Sequence, residues 1–380
     1  GNNSFALVAV PFFILAGDLL AKGGISERIV SFAEASLGKR RGGLSIVSVL
    51  ASMFIAAISG SGAATTAAVG SALLPDLKEK NYDVDFSAAL IASAGTIGVV
   101  IPPSVPMVLY AVIAGESVAK LFMGGFVPGV LMGGGLIAYA LWIANRRKYP
   151  EGLVVEGREK LRRFVSAIWG LMTPVLILGG IFTGIFTPSE AAAVAVVYTI
   201  LVAAFVYRAL TWKKFYQLVV GAGVTSSLVM FIIAAAKLFG WGLAFYQIPE
   251  AVAGAILGLA GNNTFLIYLM IGIVILLAGM FMETASALII LTPIFLPAVR
   301  AVGGSLIHFG ILMVVGLAIG MATPPVAINI YVASAVTGLP MGRITKPILP
   351  MVLILIGAFF LCTYFPELVL ALPRLFMKSV

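Results

Sequence analysis

Apolar residues run through this chain in blocks that approach or exceed the ~18 needed to cross a bilayer as a helix, with short polar or basic connections between them. Residues 4–21, 121–144, 165–186, 190–207, 216–243 and 344–364 read as membrane helices. Two pairs of blocks are different. Residues 44–58 and 64–75 flank Ser59-Gly60-Ser61-Gly62, and residues 264–279 and 286–298 flank a tip from Met280 to Ala285. At ~1.5 Å per residue such legs fall short of a ~30 Å hydrocarbon core, so each pair is expected to form a re-entrant hairpin with a polar tip inside the membrane. Two further segments, 86–115 and 306–337, are interrupted at GTIGVVIPPS (95–104) and GMATPP (320–325). Proline removes a backbone donor and disrupts the helix that satisfies polar groups in lipid, so both are expected to be broken helices.

The interruptions share one register. Pro102-Pro103 and Pro324-Pro325 lie 222 residues apart (324 minus 102), and the same offset carries Pro75 onto Pro297, Gly98 onto Gly320 and Pro128 onto Pro350. Two copies of one unit follow, and counting crossings gives them opposite orientations, as inverted repeats that build a site between them. The resulting division is 1–145 for the first repeat (hairpin 44–75, broken helix 86–115), 146–164 for a basic cytoplasmic loop and 165–215 for a scaffold helix pair. Residues 216–365 form the second repeat (hairpin 264–298, broken helix 306–337), and 366–380 form a C-terminal tail. Amphipathic stretches at 26–37 and 248–261 occupy equivalent places and read as surface arms. The scaffold is expected to comprise residues 1–40, 121–260 and 344–364, around mobile hairpins and broken helices. The helix pair 165–207 precedes the second copy and nothing matches it before the first. Repeat symmetry therefore predicts roughly 40–60 residues upstream of Gly1.

Composition agrees with an all-α polytopic membrane protein: 61% of 380 residues are hydrophobic, 10% are charged and mean hydropathy is +1.12. The net charge of +9 resides in clusters between apolar blocks (Lys39 to Arg41, Lys78 with Lys80, Arg146 to Lys148, Arg158 to Arg163, Arg208 with Lys213 and Lys214, Arg343 with Lys346). That is the positive-inside pattern of cytoplasmic loops rather than a nucleic-acid surface, although Arg374 and Lys378 would fall outside. One cysteine and one histidine argue against an intrachain disulfide, a zinc cluster or a histidine-based catalytic centre, and no GxxxxGK[ST] loop is present for direct use of ATP. No cofactor is expected beyond a coupling ion.

The chemistry is expected where each hairpin tip meets a broken helix, because free carbonyls end one leg and free amides begin the next. Sodium takes several oxygen ligands of modest charge. The first such site draws on Ser59, Gly60, Ser61 and Thr65 with Ser93, Gly98, Ile101 and Pro103; the second draws on Met282, Glu283 and Thr284 with Gly320, Thr323 and Pro325. Ser61, Thr65, Ser104, Thr323 and Asn329 are the candidates for contact with a substrate held between them. Glu283 is open to three readings: a sodium ligand, a proton carrier or a helix-start acid. Asp18 and Lys237 fall at similar places in the two copies, as a mutual pair or as contacts to another subunit. His308, Cys362 and Gly133 to Gly135 read as structural.

The strings VPFFILAGDLLAKGG (10–24), ISGSGAATTAAVGSALLP (58–75), GTIGVVIPPSVPMVLYAVIAGESVAKLFMGGFVPG (95–129) and GLAIGMATPPVAINIYVASAVTG (316–338) closely resemble the large membrane subunit of tripartite ATP-independent periplasmic (TRAP) transporters. The resemblance implies an elevator-type carrier, similar to the ion-transporter superfamily, in a bacterial or archaeal cytoplasmic membrane. It also implies a sodium gradient as driving force, sodium held by the hairpin tips, an organic acid as cargo, a periplasmic binding protein that delivers it and a small four-helix membrane subunit. A stand-alone sodium/dicarboxylate symporter is the alternative among carriers. A channel would need a continuous polar pore, and a membrane enzyme would need a catalytic constellation for which one histidine and one cysteine are poor material.

Overall fold

A computed structural model describes residues 5–37, 41–151, 155–261 and 263–377. Gly1 to Asn3, Lys39, Arg40 and Lys378, used above, lie outside these. Helices account for all regular structure among the described residues.

The first repeat opens with α1 (Ala9–Lys22), from which α2 (Ile25–Leu37) turns away by 59°. The first hairpin is α3 (Gly43–Ser59) and α4 (Gly62–Glu79). Gly60 ends α3 at φ +59°, a left-handed conformation that costs glycine little, and Ser61 caps α4 by accepting from Ala64 N. These legs, 17 and 18 residues long, exceed the expected lengths. Helix continues past the last apolar run through Asp76 to Glu79 because Leu77 still faces the core. The first broken helix is α5 (Val84–Gly95), a 3-10 turn at Thr96–Val99, and α6 (Val105–Ala114). Next come α7 (Val118–Arg146), α8 (Gly157–Phe182) and α9 (Pro188–Leu201), the last started by a Thr187/Glu190 capping box.

The second repeat runs through α10 (Trp212–Phe245) and α11 (Ile248–Ala260) to a hairpin of α12 (Thr264–Phe281) and α13 (Thr284–Ala301). Its broken helix is α14 (Leu306–Gly320) and α15 (Ile328–Thr337), followed by α16 (Met341–Tyr364) and α17 (Glu367–Phe376). Two expected boundaries change. The basic segment before residue 165 is not all loop, since helix begins at Gly157; the stretch from 157 to 182 keeps one apolar face beneath its charges. The tail contains α17, whose Val369 and Leu370 are buried against the rest of the protein.

Packing sorts the helices into two bodies. In one, the first hairpin lies on α5 and the second on α14, and the copies interlock: α4 packs on α15, and α13 packs on α6. In the other, α1 packs on α9 and α10, and α2 on α8. Helices α7 and α16 were expected in the scaffold, but α7 packs on α3, α5 and α14, and α16 on α5, α7 and α14. They belong with the hairpins because glycines permit close approach there: Gly133 of α7 meets Met53, and Gly135 meets Ile354.

Helix α14 is buried all round from Ile307 to Gly320, as a core helix must be, whereas α10 presents Val224, Phe231, Leu238 and Phe245 outward. Among the described residues seven helices are long and apolar enough to cross a membrane, and these exposed apolar side chains are the surface such a protein turns to lipid. His308 bonds the Cys362 carbonyl at 2.9 Å in the interior, a purely internal contact.

At Gly320 two backbones meet, and an added Cβ would lie 2.1 Å from the Gly279 carbonyl carbon and oxygen. Gly320→Ala is expected to lower stability by about 1–3 kcal/mol through overpacking. Gly134→Ala, with nothing within 4 Å of the new methyl, is expected to stay within about 0.5 kcal/mol of wild type. Denaturation of the two variants in detergent checks the contrast.

Candidate functional site

The first tip is built from side chains that bond one another. Ser59 and Thr65 hydroxyls lie 2.8 Å apart, and Ser59 Oγ also donates to Ser61 O at 3.3 Å. The broken helix reaches this tip at two glycines. A Cβ on Gly98 would lie 2.7 Å from both Ser61 O and Thr65 Oγ1, and one on Gly60 would lie 2.9 Å from Pro103 O. Only glycine lets these backbones meet. Ser59, Gly60, Ser61, Thr65, Gly98 and Pro103 therefore come together. Two other predicted side chains turn elsewhere: Ser93 Oγ donates to Met351 Sδ at 3.4 Å, and Ile101 packs over Gly129 of α7.

At the break, Pro103 has no N–H to offer the Val99 carbonyl four residues earlier. Ser104 Oγ donates to that carbonyl at 2.5 Å and accepts from Met107 N at 3.3 Å, so one hydroxyl repairs the break and caps α6. Ser104 was expected to face substrate; it is fully buried and engaged in the fold. Asn329 is likewise fully buried, where Nδ2 donates to Ala92 O at 3.0 Å and ties the second broken helix to the first. Its Oδ1 has no partner among the described residues.

The second tip turns between Met282, the C-cap of α12, and Glu283, the N-cap of α13. Glu283 Oε2 accepts from Ala285 N at 2.9 Å, Ser286 N at 3.1 Å and Ser286 Oγ at 3.4 Å, so the residue acts at least as a helix-start acid. The next residue, Thr284, is buried, and its hydroxyl has no partner among the described residues. Behind the tip, Gly320 O accepts from Thr323 N at 3.0 Å, Met321 O accepts from Asn329 N at 2.9 Å, and Val326 N donates to Met280 O at 3.3 Å. The Thr323 hydroxyl donates to Ile319 O at 2.8 Å. Pro325 is exposed, whereas all of Ile101 to Ser104 is buried, so the two breaks are not equally covered.

Both tips open on one cavity of about 600 Å³, lined by Ser59 to Gly62 and by Glu283 to Ala285. Its other wall is α1 and α10, through Ile14, Gly17, Asp18, Lys22, Thr225 and Val229. A larger cavity, about 790 Å³, opens at the polar ends of α4, α5 and α7 among Lys78, Asp83, Arg147 and Lys148, where neither tip reaches. The smaller one holds the chemistry. The N-terminus of α4 enters it with a neutral cap, Ser61, and so presents partial positive charge; that of α13 enters with a carboxylate. Such a cavity suits an anion beside one tip and a cation beside the other.

Residues 1–368 match the family model for the tripartite ATP-independent periplasmic transporter, DctM component. The chain belongs to this family. It is 44% identical, over 98% of its length, to the isethionate TRAP transporter permease protein DctMQ of Oleidesulfovibrio alaskensis, and spans 58% of that protein. It is 44% identical to the C4-dicarboxylate TRAP transporter large permease protein DctM of Pseudomonas aeruginosa, over 98% of this chain and 87% of the relative. It is 38% identical to the 2,3-diketo-L-gulonate TRAP transporter large permease protein YiaN of Escherichia coli, over 97% of this chain and 87% of the relative. Among solved structures, the YdaH transporter of Alcanivorax borkumensis aligns with a TM-score of 0.57 over 96% of this chain and 85% of that one. At 15% identity, this is a likeness of fold alone.

In this TRAP permease, Asp18 does not form an ion pair with Lys237 among the described residues; it lies one turn from Lys22 on the wall of the cavity. Lys22 was not singled out in the sequence, where a lysine in the last turn of a helix is ordinary. The i, i+4 spacing of two charges in an apolar helix was the available signal. Ser104→Ala is expected to cost about 1–3 kcal/mol by orphaning the Val99 carbonyl. Ser104→Thr, which keeps the hydroxyl, is expected to recover part of that loss in the same unfolding measurement.

Proposed function

We propose that this chain is the large permease of a sodium-driven uptake system for an organic acid, working by an elevator motion in a bacterial or archaeal cytoplasmic membrane. A periplasmic binding protein delivers the cargo, and a small four-helix membrane subunit braces the α1, α8–α10 body. The reading rests on one observation above all: both hairpin tips open on a single cavity whose opposite wall belongs to the other body. Cargo held there crosses when the hairpin body slides past α1 and α10.

The oxygen set fits sodium. Ser61 O and Thr65 Oγ1 converge where Gly98 leaves room, on the broken-helix side of the first tip rather than on its cavity face; at the second tip Thr284 keeps a buried hydroxyl with no partner among the described residues, and Glu283 supplies a carboxylate. Ordering the tips by sodium completes the cavity for the anion, so each raises the affinity of the other. Relatives named for isethionate, C4-dicarboxylate and 2,3-diketo-L-gulonate, each an organic anion, support the cargo class.

The test is uptake of labelled succinate or isethionate into proteoliposomes holding the permease and its small subunit, with the binding protein outside. Uptake is expected to require an inward sodium gradient, and uptake undiminished when potassium replaces sodium would sink the claim. Thr65→Val and Thr284→Val are expected to raise the sodium concentration for half-maximal uptake at least about threefold, about 0.65 kcal/mol, at normal expression.

A further inference from the structure

We propose that Lys22 is the group that meets an acid of the cargo, held toward it from α1 rather than from the hairpins. This rests on the functional reading above and adds a specificity-determining contact to it.

Lys22 is the only basic side chain lining the tip cavity among the described residues. It stands on the wall opposite Ser61, whose helix terminus already favours negative charge. The two walls are close: a Cβ on Gly17 would lie 2.8 Å from Ser59 O, so α1 rests on the first tip a little more than one turn before Lys22. A lysine in a last helical turn ordinarily complements the helix dipole in solvent. Lys22 is exposed, and its side chain opens on the tip cavity. No carboxylate lies within 4 Å of its ammonium among the described residues. Asp18, one turn earlier on the same helix, attracts it without closing a pair. An anion held in the cavity beside Ser61 comes within reach of this ammonium, which donates to its carboxylate or sulfonate oxygens.

The location has a consequence. Lys22 stays with the α1 body when the hairpins move, so this contact belongs to one end state of the cycle. It governs how tightly the cargo is held in the arrangement described here, and its removal leaves the packing of either body intact.

Equilibrium binding of labelled succinate and of labelled isethionate, in sodium, to the permease with its small subunit in nanodiscs tests the inference. Lys22→Gln is expected to raise the dissociation constant for both anions at least about tenfold, with the melting temperature of the complex unchanged; Lys22→Arg is expected to stay within about threefold of wild type. An unchanged dissociation constant in Lys22→Gln, while wild type still binds and carries either anion, would overturn this contact and leave the functional reading standing. Lys22→Arg as weak as Lys22→Gln, or binding lost together with thermal stability, would overturn it as well. Wild-type complex that neither binds nor takes up either anion would remove the functional reading and this contact together.

Discussion

Lipid supplies no hydrogen bonds, and that constraint governs this protein wherever its helices stop inside the membrane. Two Pro-Pro pairs each withdraw backbone donors from a helix in the middle of a hydrophobic body. Every nearby feature answers that loss. Ser104 supplies the Val99 carbonyl with the bond that Pro103 does not, and Asn329 N bonds Met321 O across the second break. The first break persists because protein, not lipid, surrounds it.

Repair by packing demands close approach, and close approach demands glycine at particular places. Gly98 against Ser61 and Thr65, Gly95 against Thr66, Gly60 against Pro103, and Gly320 against Gly279 are joints where a methyl would push hairpin and broken helix apart. The same requirement draws α7 and α16 into this body, through Gly133 on Met53 and Gly135 on Ile354. What remains, α1 with α8 to α10, meets the hairpins through α1, α2, α10 and α11, most broadly where α11 lies on α13 and α2 on α3.

The repeats agree in backbone and differ in charge. At equivalent hairpin turns, one second leg starts with a serine and the other with a glutamate. One tip therefore keeps its helix-dipole charge for an anion, and the other answers it with a carboxylate.

Much of this was legible in the chain because it is local. A Pro-Pro pair breaks a helix wherever it stands, a Ser or Glu beside Gly caps the next helix through its own neighbours, and a constant offset of 222 residues marks duplication without reference to any contact. The hairpin tips and the close approach at Gly98 followed from such signals. Facing is not local. Which side of α1 looks into the cavity, whether Ser104 and Asn329 meet cargo or the inside of the fold, and which body claims α7 and α16 depend on partners hundreds of residues away. An apolar helix in a membrane protein has too little polar contrast around its circumference to declare its partner in advance. The sequence by itself determined where the helices break and that they break twice; tertiary packing decided which atoms those breaks bring to one cavity.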